Sequence, residues 1–472
     1  MSDLFDIKEW EASLSRRRQA NHSNDPTLPP LSAIRAAESS LPNAIATDSL
    51  PGASQEDTIK HIVGDIVPAL NGQAHSSRYY GFVTGGILPI AEWADNVVSH
   101  MDQNVSVHLP DQTVATTVED TALKMIISLL RLGNAEDWGG RIFTTGATAS
   151  NILGLTCGRE AVLSKKLGGD GSAGELGLLA ACVTAGVTEV QVLTSAGHSS
   201  LSKAASVVGF GRRSVKELGV SGDEPWRLDF AALERELQKP GTLSVISISA
   251  GEVNTGRHGV NGTEEMKKVR ELADRYGAWL HVDGAFGIFS RALEDRSEYK
   301  TIRDRAGGIE LADSITLDGH KLLNVPYDCG IFLTKSYLTL QSAFTNPNAA
   351  YLSSGAPSNI PSPLNIGLEN SRRFRALPAY AVLLSEGRPG IAALLSNMTE
   401  LTRRVARFIQ ESKHALNDVL VERINATRKI YVSPTTWKGE KAVRIAVSNW
   451  MVNVAKDFGV ISSVLNEVAG NT

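Results

Sequence analysis

From Arg141 onward the chain alternates between short apolar runs and longer amphipathic stretches. The runs Arg141–Thr144, Val190–Thr194, Leu243–Ser249, Ala278–Val282, Ser314–Leu317 and Gly330–Leu333 read as strands. They are mostly apolar, the pattern of strands covered on both faces. Between them, Ser150–Ser164, Ser200–Val208, Asp229–Gln238 and Glu264–Arg275 read as helices. Strands alternating with helices predict an α/β fold with a mainly parallel sheet and helices on both faces. Ligands of such sheets bind where loops converge at the carboxyl ends of the strands.

The flanks follow other patterns. Residues 1–78 are polar and broken by Pro26, Pro29, Pro30, Pro42 and Pro51. Lys8–Ala20 and Glu56–Leu70 are predicted helices there, the second with Ile59, Ile62, Val63 and Ile66 on one face. A segment with so little core of its own is expected to pack across a second subunit. Thr117–Leu132 carries helical spacing and is predicted to be a core helix. Beyond residue 375, a helix from Leu377, a helix Leu395–Ala415, and strands Lys429–Val432 and Ala442–Val447 suggest a small α+β domain. The expected organisation is 1–78, 79–375 and 376–472. The loop rich in Asn, Pro, Ser and Gly from Thr345 to Gly367 is long enough to expect a functional role.

Composition narrows the classes. The 472 residues are 42% apolar and 21% charged, ordinary for a soluble globular protein. A net charge of -4 leaves no basic stripe for nucleic acid. No apolar run reaches the roughly 18 residues of a membrane span. The charged N-terminus lacks an apolar signal core. Cys157, Cys182 and Cys329 lie far apart in apolar surroundings, so they read as buried thiols with no disulfide or metal spacing. These features predict a cytoplasmic protein.

Four predicted strands end in groups with chemistry. Ser314–Leu317 stops at Asp318-Gly-His320-Lys321, and a lysine held at the end of a buried strand can do covalent carbonyl chemistry. Arg141–Thr144 leads through Gly146-Ala147-Thr148 into a helix, a seat for phosphate. Ala278–Val282 runs into Asp283, a carboxylate that needs a cationic or hydrogen-bonding partner. Val190–Thr194 is followed by His198, whose imidazole can lie on a flat ring. Each piece alone has an ordinary explanation as a cap or a solvated strand end. Together they are the set that pyridoxal phosphate requires.

With these motifs the chain resembles the group II pyridoxal-phosphate-dependent decarboxylases, the family of aromatic amino-acid, histidine and glutamate decarboxylases. The resemblance runs from about Glu56 to Val468. It implies the fold type I transferase architecture, a seven-stranded-type sheet, and a homodimer with shared active sites. It places Lys321 at the Schiff-base position, His198 on the ring face, Asp283 at the pyridine nitrogen and Ala285 against the other face. Ala147 and Thr148 fall at phosphate contacts, and His320 near the phosphate. Ala350-Tyr351-Leu352 resembles the family's mobile loop, which makes Tyr351 the acid that protonates the substrate carbon. Arg372-Arg-Phe-Arg375 matches the landmark that follows.

The implied activity is decarboxylation of an L-amino acid, an aromatic one favoured, to its amine and carbon dioxide. Oxidative deamination to an aldehyde and another carbon–carbon lyase or aldol-type reaction are the alternatives, and retention of Tyr351 favours the amine. A non-catalytic protein on a degenerate enzyme fold would be expected to lack the lysine or the aspartate. Tyr79, Phe82, Val83, Thr84, Asn104, Val107 and His108 are expected near the substrate side chain. The chain also departs from the family. Phe82-Val83-Thr84-Gly85-Gly86 replaces an aromatic-proline run, which counts against large aromatic substrates. Asp318 stands where asparagine is common, a second anion unless it is paired or turned away. Val253 replaces a threonine, with Asn254 as a substitute cofactor contact.

Overall fold

The structure is a computed structural model that describes residues 26–42, 52–169, 171–346, 360–411 and 419–470. The chain forms two compact units, Ile87–Ser396 and Met1–Gly86 with Asn397–Thr472. These divisions differ from the expected boundaries at residues 78 and 375, and the second falls inside the helix Ala376–Glu411.

The unit Ile87–Ser396 is built on a seven-stranded sheet. Its strands are β1 (Gly140–Thr144), β2 (Glu189–Thr194), β3 (Val215–Glu217), β4 (Thr242–Ser249), β5 (Trp279–Asp283), β6 (Ser314–Asp318) and β7 (Gly330–Thr334), in the order β1-β7-β6-β5-β4-β2-β3. Only β7 runs against its neighbours. The other six strands therefore end at one edge, and β7 starts there. Gly330 is opposite both Thr144 and Asp318, so the ends of β1 and β6 flank it.

Every residue of β1, β5, β6 and β7 is buried. This is why these strands read as continuous runs, since both faces are covered. Each fully buried Leu, Ile or Phe contributes about 1.5–3 kcal/mol. The strand β3 had no counterpart in the pattern. It has three residues at the sheet edge, none fully buried, too little to leave a periodic trace.

The helix Ala147–Lys166 fixes the position of the strand-end turn. Its face carries Gly154 and Gly158, one turn apart. A Cβ on Gly158 would come within 2.7 Å of Val245 Cγ2 and 3.1 Å of Trp279 Cδ1. One on Gly154 would overlap the His281 ring. The helix thus lies closer to β4 and β5 than any larger residue would permit.

The other unit pairs Tyr79 with Tyr431 in an isolated bridge, and Gly81 makes room for the Tyr431 ring. Its hairpin is β8 (Ser433–Trp437) and β9 (Glu440–Arg444). The strands expected at Lys429–Val432 and Ala442–Val447 are displaced. Lys438 and Gly439 both take positive φ (51° and 82°) and close a two-residue turn that sets the register. The predicted helix Glu56–Leu70 is α-helical only over Gln55–His61. It continues as a π-turn Ile62–Ile66 and a 3-10 turn Val67–Ala69, where Gly64 and Pro68 weaken the regular ladder. The two helices expected from Leu377 and over Leu395–Ala415 are one element, Ala376–Glu411, broken at Gly387 before Pro389. Lys8–Ala20 lies outside the described residues.

Candidate active site

Strand β6 ends at Asp318 and turns into the short helix Gly319–Leu322, which carries His320 and Lys321. The Lys321 ammonium forms a 2.8 Å ion pair with Asp318 Oδ2. The other oxygen, Oδ1, accepts the Ala147 N–H at 2.6 Å. Asp318 is therefore a paired anion, held by an ammonium and by the positive end of a 20-residue helix. Lys321 is no solvated strand end, since only 20% of its side chain is exposed.

His320 completes this corner. Its Nδ1 accepts the Cys329 N–H at 3.3 Å, and its ring lies 4.4 Å from that of Tyr327. Burial pushes its pKa below 6.5, against the opposing pull of Asp318, so the ring is neutral at pH 7. A Cβ on Gly330 would come within 2.5 Å of Thr144 Oγ1 and 2.6 Å of the Gly146 carbonyl carbon. The turn Gly146–Ala147 is thus drawn against the start of β7, beside Asp318 and His320.

A second corner lies one helical turn along, at Asn151. Asp283 ends β5 and is buried. Its Oδ2 accepts from Asn151 Nδ2 at 2.9 Å, and its Oδ1 accepts the Ala285 N–H at 3.2 Å. A carboxylate offers about four acceptor sites, so capacity remains for a cationic ring N–H. His198 caps the helix Ser199–Val207. Its Nδ1 accepts the Ser200 N–H at 3.2 Å and meets Ser200 Oγ at 2.8 Å.

The sheet edge therefore gathers Lys321, His320, Ala147 and Asp283 with Ala285 and His198, through two contact groups joined by one helix. The remaining positions stand apart in role. Thr148 lies in the first turn of that helix. Asn254 sits in a loop folded back on Glu252, whose carboxylate accepts its N–H at 2.9 Å. Asn104 Oδ1 accepts the Arg372 N–H at 3.1 Å, and the Arg372 guanidinium is held by Glu119 at 2.9 and 3.0 Å. His108 is bound to Thr116 Oγ1 at 2.8 Å, and Val107 beside it is buried. Tyr79, Phe82, Val83 and Thr84 belong to the other unit. There the rings of Tyr79 and Phe82 stand 4.7 and 6.4 Å from Tyr431. Tyr351 lies outside the described residues.

Sequence reasoning missed Asn151, Ser200 and His281. A usable sign was present for two of them. Asn151 is four residues after Ala147, hence on the same helix face. His281 is two before Asp283 on a strand, hence on the same side of the sheet.

The donor set suits pyridoxal phosphate. It has an amine for the aldehyde, a buried carboxylate for the ring nitrogen, an imidazole, and first-turn N–H groups for a phosphate. The fold is that of the fold type I pyridoxal-phosphate decarboxylases. Over its full length the chain superposes on Oryza sativa TDC, solved with PLP and tryptamine. The TM-score is 0.78 at 19% identity, with 99% of that chain covered. Mouse CSAD superposes with a TM-score of 0.76 at 17% identity, covering 99% of this chain and 100% of the other.

The family itself is set by sequence. Residues 52–424 match the pyridoxal-dependent decarboxylase conserved domain, and the chain belongs to that family. It is 31% identical over 283 residues to an L-2,4-diaminobutyrate decarboxylase of Acinetobacter baumannii, covering 58% of this chain and 52% of the relative. It is 26% identical over 350 residues to one of Rhizobium meliloti, covering 70% and 61%. The match thus spans about half to three-fifths of those two relatives. Tryptophan decarboxylase 1 of Oryza sativa is 23% identical over 434 residues, covering 83% of this chain and 80% of its own.

Proposed function

We propose that this chain is a pyridoxal-phosphate-dependent carboxy-lyase that converts an L-amino acid to its amine. The observation that carries the proposal is the shared sheet edge. There the ion pair of half-buried Lys321 with buried Asp318 and the buried carboxylate of Asp283 lie at the ends of adjacent parallel strands. Bound there, the cofactor supplies an aldehyde for amines and a ring that accepts the electron pair of the breaking Cα–carboxylate bond.

The chain's own residues do the rest. Lys321 is the attachment amine, and Asp318 keeps its charge paired. Asp283 holds a proton at the ring nitrogen. His198 covers one ring face and Ala285 lies at the other. The helix N-terminus at Ala147 and Thr148, with His320, holds the phosphate, and Asn254 is a further cofactor contact. Tyr351 delivers the proton to the substrate carbon. Its presence favours an amine product over an aldehyde.

For the substrate we favour an aromatic L-amino acid, with Tyr79, Phe82, Val83, Thr84, Asn104, Val107 and His108 near its side chain. A diamino acid is the second candidate, because the two bacterial relatives above are named for L-2,4-diaminobutyrate. A homodimer with shared sites is supported by the exposed apolar residues between Ile59 and Leu70. A cytoplasmic location fits three free cysteines. Among the described residues no helix is long and apolar enough to cross a membrane.

The test is direct. Purified protein supplied with pyridoxal phosphate should gain a visible absorption band that Lys321→Ala lacks. A panel of L-amino acids with carbon dioxide detection should then identify the substrate, scored for amine against aldehyde plus peroxide. A protein that gains no band refutes the proposal. Aldehyde as the main product refutes the decarboxylase assignment.

A further inference from the structure

Behind the cofactor-facing residues lies a buried chain of side chains whose hydrogen bonds all run one way. Trp279 Nε1 meets Ser314 Oγ at 2.9 Å, and an indole N–H can only donate. The same Ser314 oxygen faces His281 Nδ1 at 2.8 Å. At the other end, Asp283 Oδ2 can only accept, so the group facing it at 2.9 Å is the Asn151 amide nitrogen. This leaves Asn151 Oδ1 facing His281 Nε2 at 2.9 Å, and an amide oxygen can only accept. His281 thus carries its proton on Nε2 and accepts on Nδ1. The order is Trp279 to Ser314 to His281 to Asn151 to Asp283. With a carboxylate at Asp283 and a neutral imidazole at His281, no other assignment leaves every pair bonded, and Ser314 gives its proton to His281 Nδ1.

A branch leaves from Asn151. Its amide nitrogen also reaches Ser200 Oγ at 3.3 Å. Ser200 then gives its proton to His198 Nδ1, which the Ser200 N–H already requires to be an acceptor. Asn151, His281 and Ser314 are each 0% exposed. Burial pushes the His281 pKa from 6.5 down to about 4, so it stays a neutral one-proton relay at working pH. Gly154, whose Cβ would overlap the imidazole, is the space the helix leaves for it.

Resting on the cofactor reading above, we infer that Asn151 is a positioning residue that fixes both Asp283 and His198, with Ser314 and His281 locking its amide orientation. Its amide hydrogens go to the residue at the ring nitrogen and, through Ser200, to the residue at the ring face. One side chain thereby sets which Asp283 oxygen is engaged and holds the Ser200 hydroxyl that faces His198 Nδ1. The helix that bears it also presents Ala147 one turn earlier, so phosphate seat and ring-nitrogen partner are held by one rigid element.

The near-isosteric Asn151→Asp tests this. It places a second carboxylate against Asp283 Oδ2, and repulsion between two carboxylates in contact raises the pKa of one of them. The other titratable groups around the position are His281 on β5, His198 at the head of its helix, and Asp318, His320 and Lys321 at the end of β6. All are present in both proteins, so the ratio of variant to wild-type affinity isolates the new pair. Pyridoxal phosphate is titrated into both apoproteins, and binding is followed by protein fluorescence. The variant should bind about tenfold or more weakly near pH 8, and the ratio should approach one as the shared proton is taken up towards about pH 5.5. A ratio near one throughout, or one that does not change with pH, would overturn the inference. Wild-type protein that does not bind the cofactor at all would overturn the functional reading as well. Should the variant not fold, nitrogen-15 spectra of histidine-labelled wild type decide the matter. Both His281 and His198 must be in the Nε2–H form at neutral pH, and an Nδ1–H form at either is incompatible with the relay.

Discussion

Lys321 and Asp318 show how one residue changes the meaning of its neighbour. An extra anion near a phosphate seat is repulsive taken alone. Here the same carboxylate bridges the lysine ammonium and the Ala147 N–H. Both side chains are largely buried, so each leaves an uncompensated group when the other is removed. Asp318→Asn and Lys321→Met should each destabilise the cofactor-free protein by about 1–3 kcal/mol, below the cost of breaking a wholly buried pair because Lys321 is partly solvated. The double variant should cost about 1 kcal/mol or more less than their sum. Urea unfolding of the four proteins measures this, and simple additivity would mean that the pair does not contribute.

His281 carries a pH consequence at the same scale. Its pKa falls from 6.5 unfolded to about 4 folded, through burial. Between those values the unfolded chain binds a proton that the native state refuses. Stability is therefore complete above about pH 6.5, declines as the pH falls to about 4, and then levels off; the total is about 3 kcal/mol. His258 behaves in the same direction, also falling to about 4. His281→Gln should unfold in urea with a smaller loss between pH 7 and pH 5 than wild type, keeping the His258 part. An unchanged slope would show that His281 does not titrate as described.

Among the elements, the helix Ala147–Lys166 does the most positioning. Two glycines set its distance from the sheet, and they oppose helix propensity. Gly158→Ala would gain about 1 kcal/mol of propensity. It would also place a methyl 2.7 Å from Val245 Cγ2, and overpacking of this kind costs about 1–3 kcal/mol. Packing should win, with net destabilisation. Gly459 in the helix Val454–Gly470 supplies the contrast, since no atom lies within 4 Å of an added Cβ. Gly459→Ala should therefore stabilise by up to about 1 kcal/mol. Thermal unfolding of both variants checks the pair, and shifts of the same sign would contradict it.

The strands that frame the site were legible because burial on both faces writes a continuous apolar run. The residues at their ends were legible because Asp318, Asp283 and His198 interrupt or follow such runs. What failed was whatever depends on partners far away in sequence. Asn151 reads as one more polar residue in a small-residue turn until β5 is laid against it, 132 residues later. Strand β3 and the register of the β8–β9 hairpin failed for a different reason. A three-residue edge strand has no periodicity, and the hairpin register is set by a turn at Lys438-Gly439 that hydrophobic patterning does not see.

At the scale of the whole molecule, the informative feature is a surface that one chain alone leaves wet. Ile59, Ile62, Val63, Val67 and Leu70 fall within one short helical segment and are each 47–63% exposed. The segment has no buried residue over Gln55–Ala69. Single exposed apolar residues are ordinary, but a run of them on consecutive turns is the mark of an interface. Covering such side chains is worth about 25 cal/mol per Å² of apolar area, enough to hold two chains together only if the patch is matched by a similar one. A two-fold arrangement supplies that match without a second kind of protein, because each copy offers the same surface. The wild-type protein should therefore sediment at twice the chain mass. Ile59→Lys with Val63→Lys puts two charges one turn apart into that surface and should shift the species to the monomer at micromolar concentration, leaving thermal unfolding of the seven-stranded unit in place. A wild-type monomer, or a variant that remains dimeric, would mean that this surface does not serve self-association.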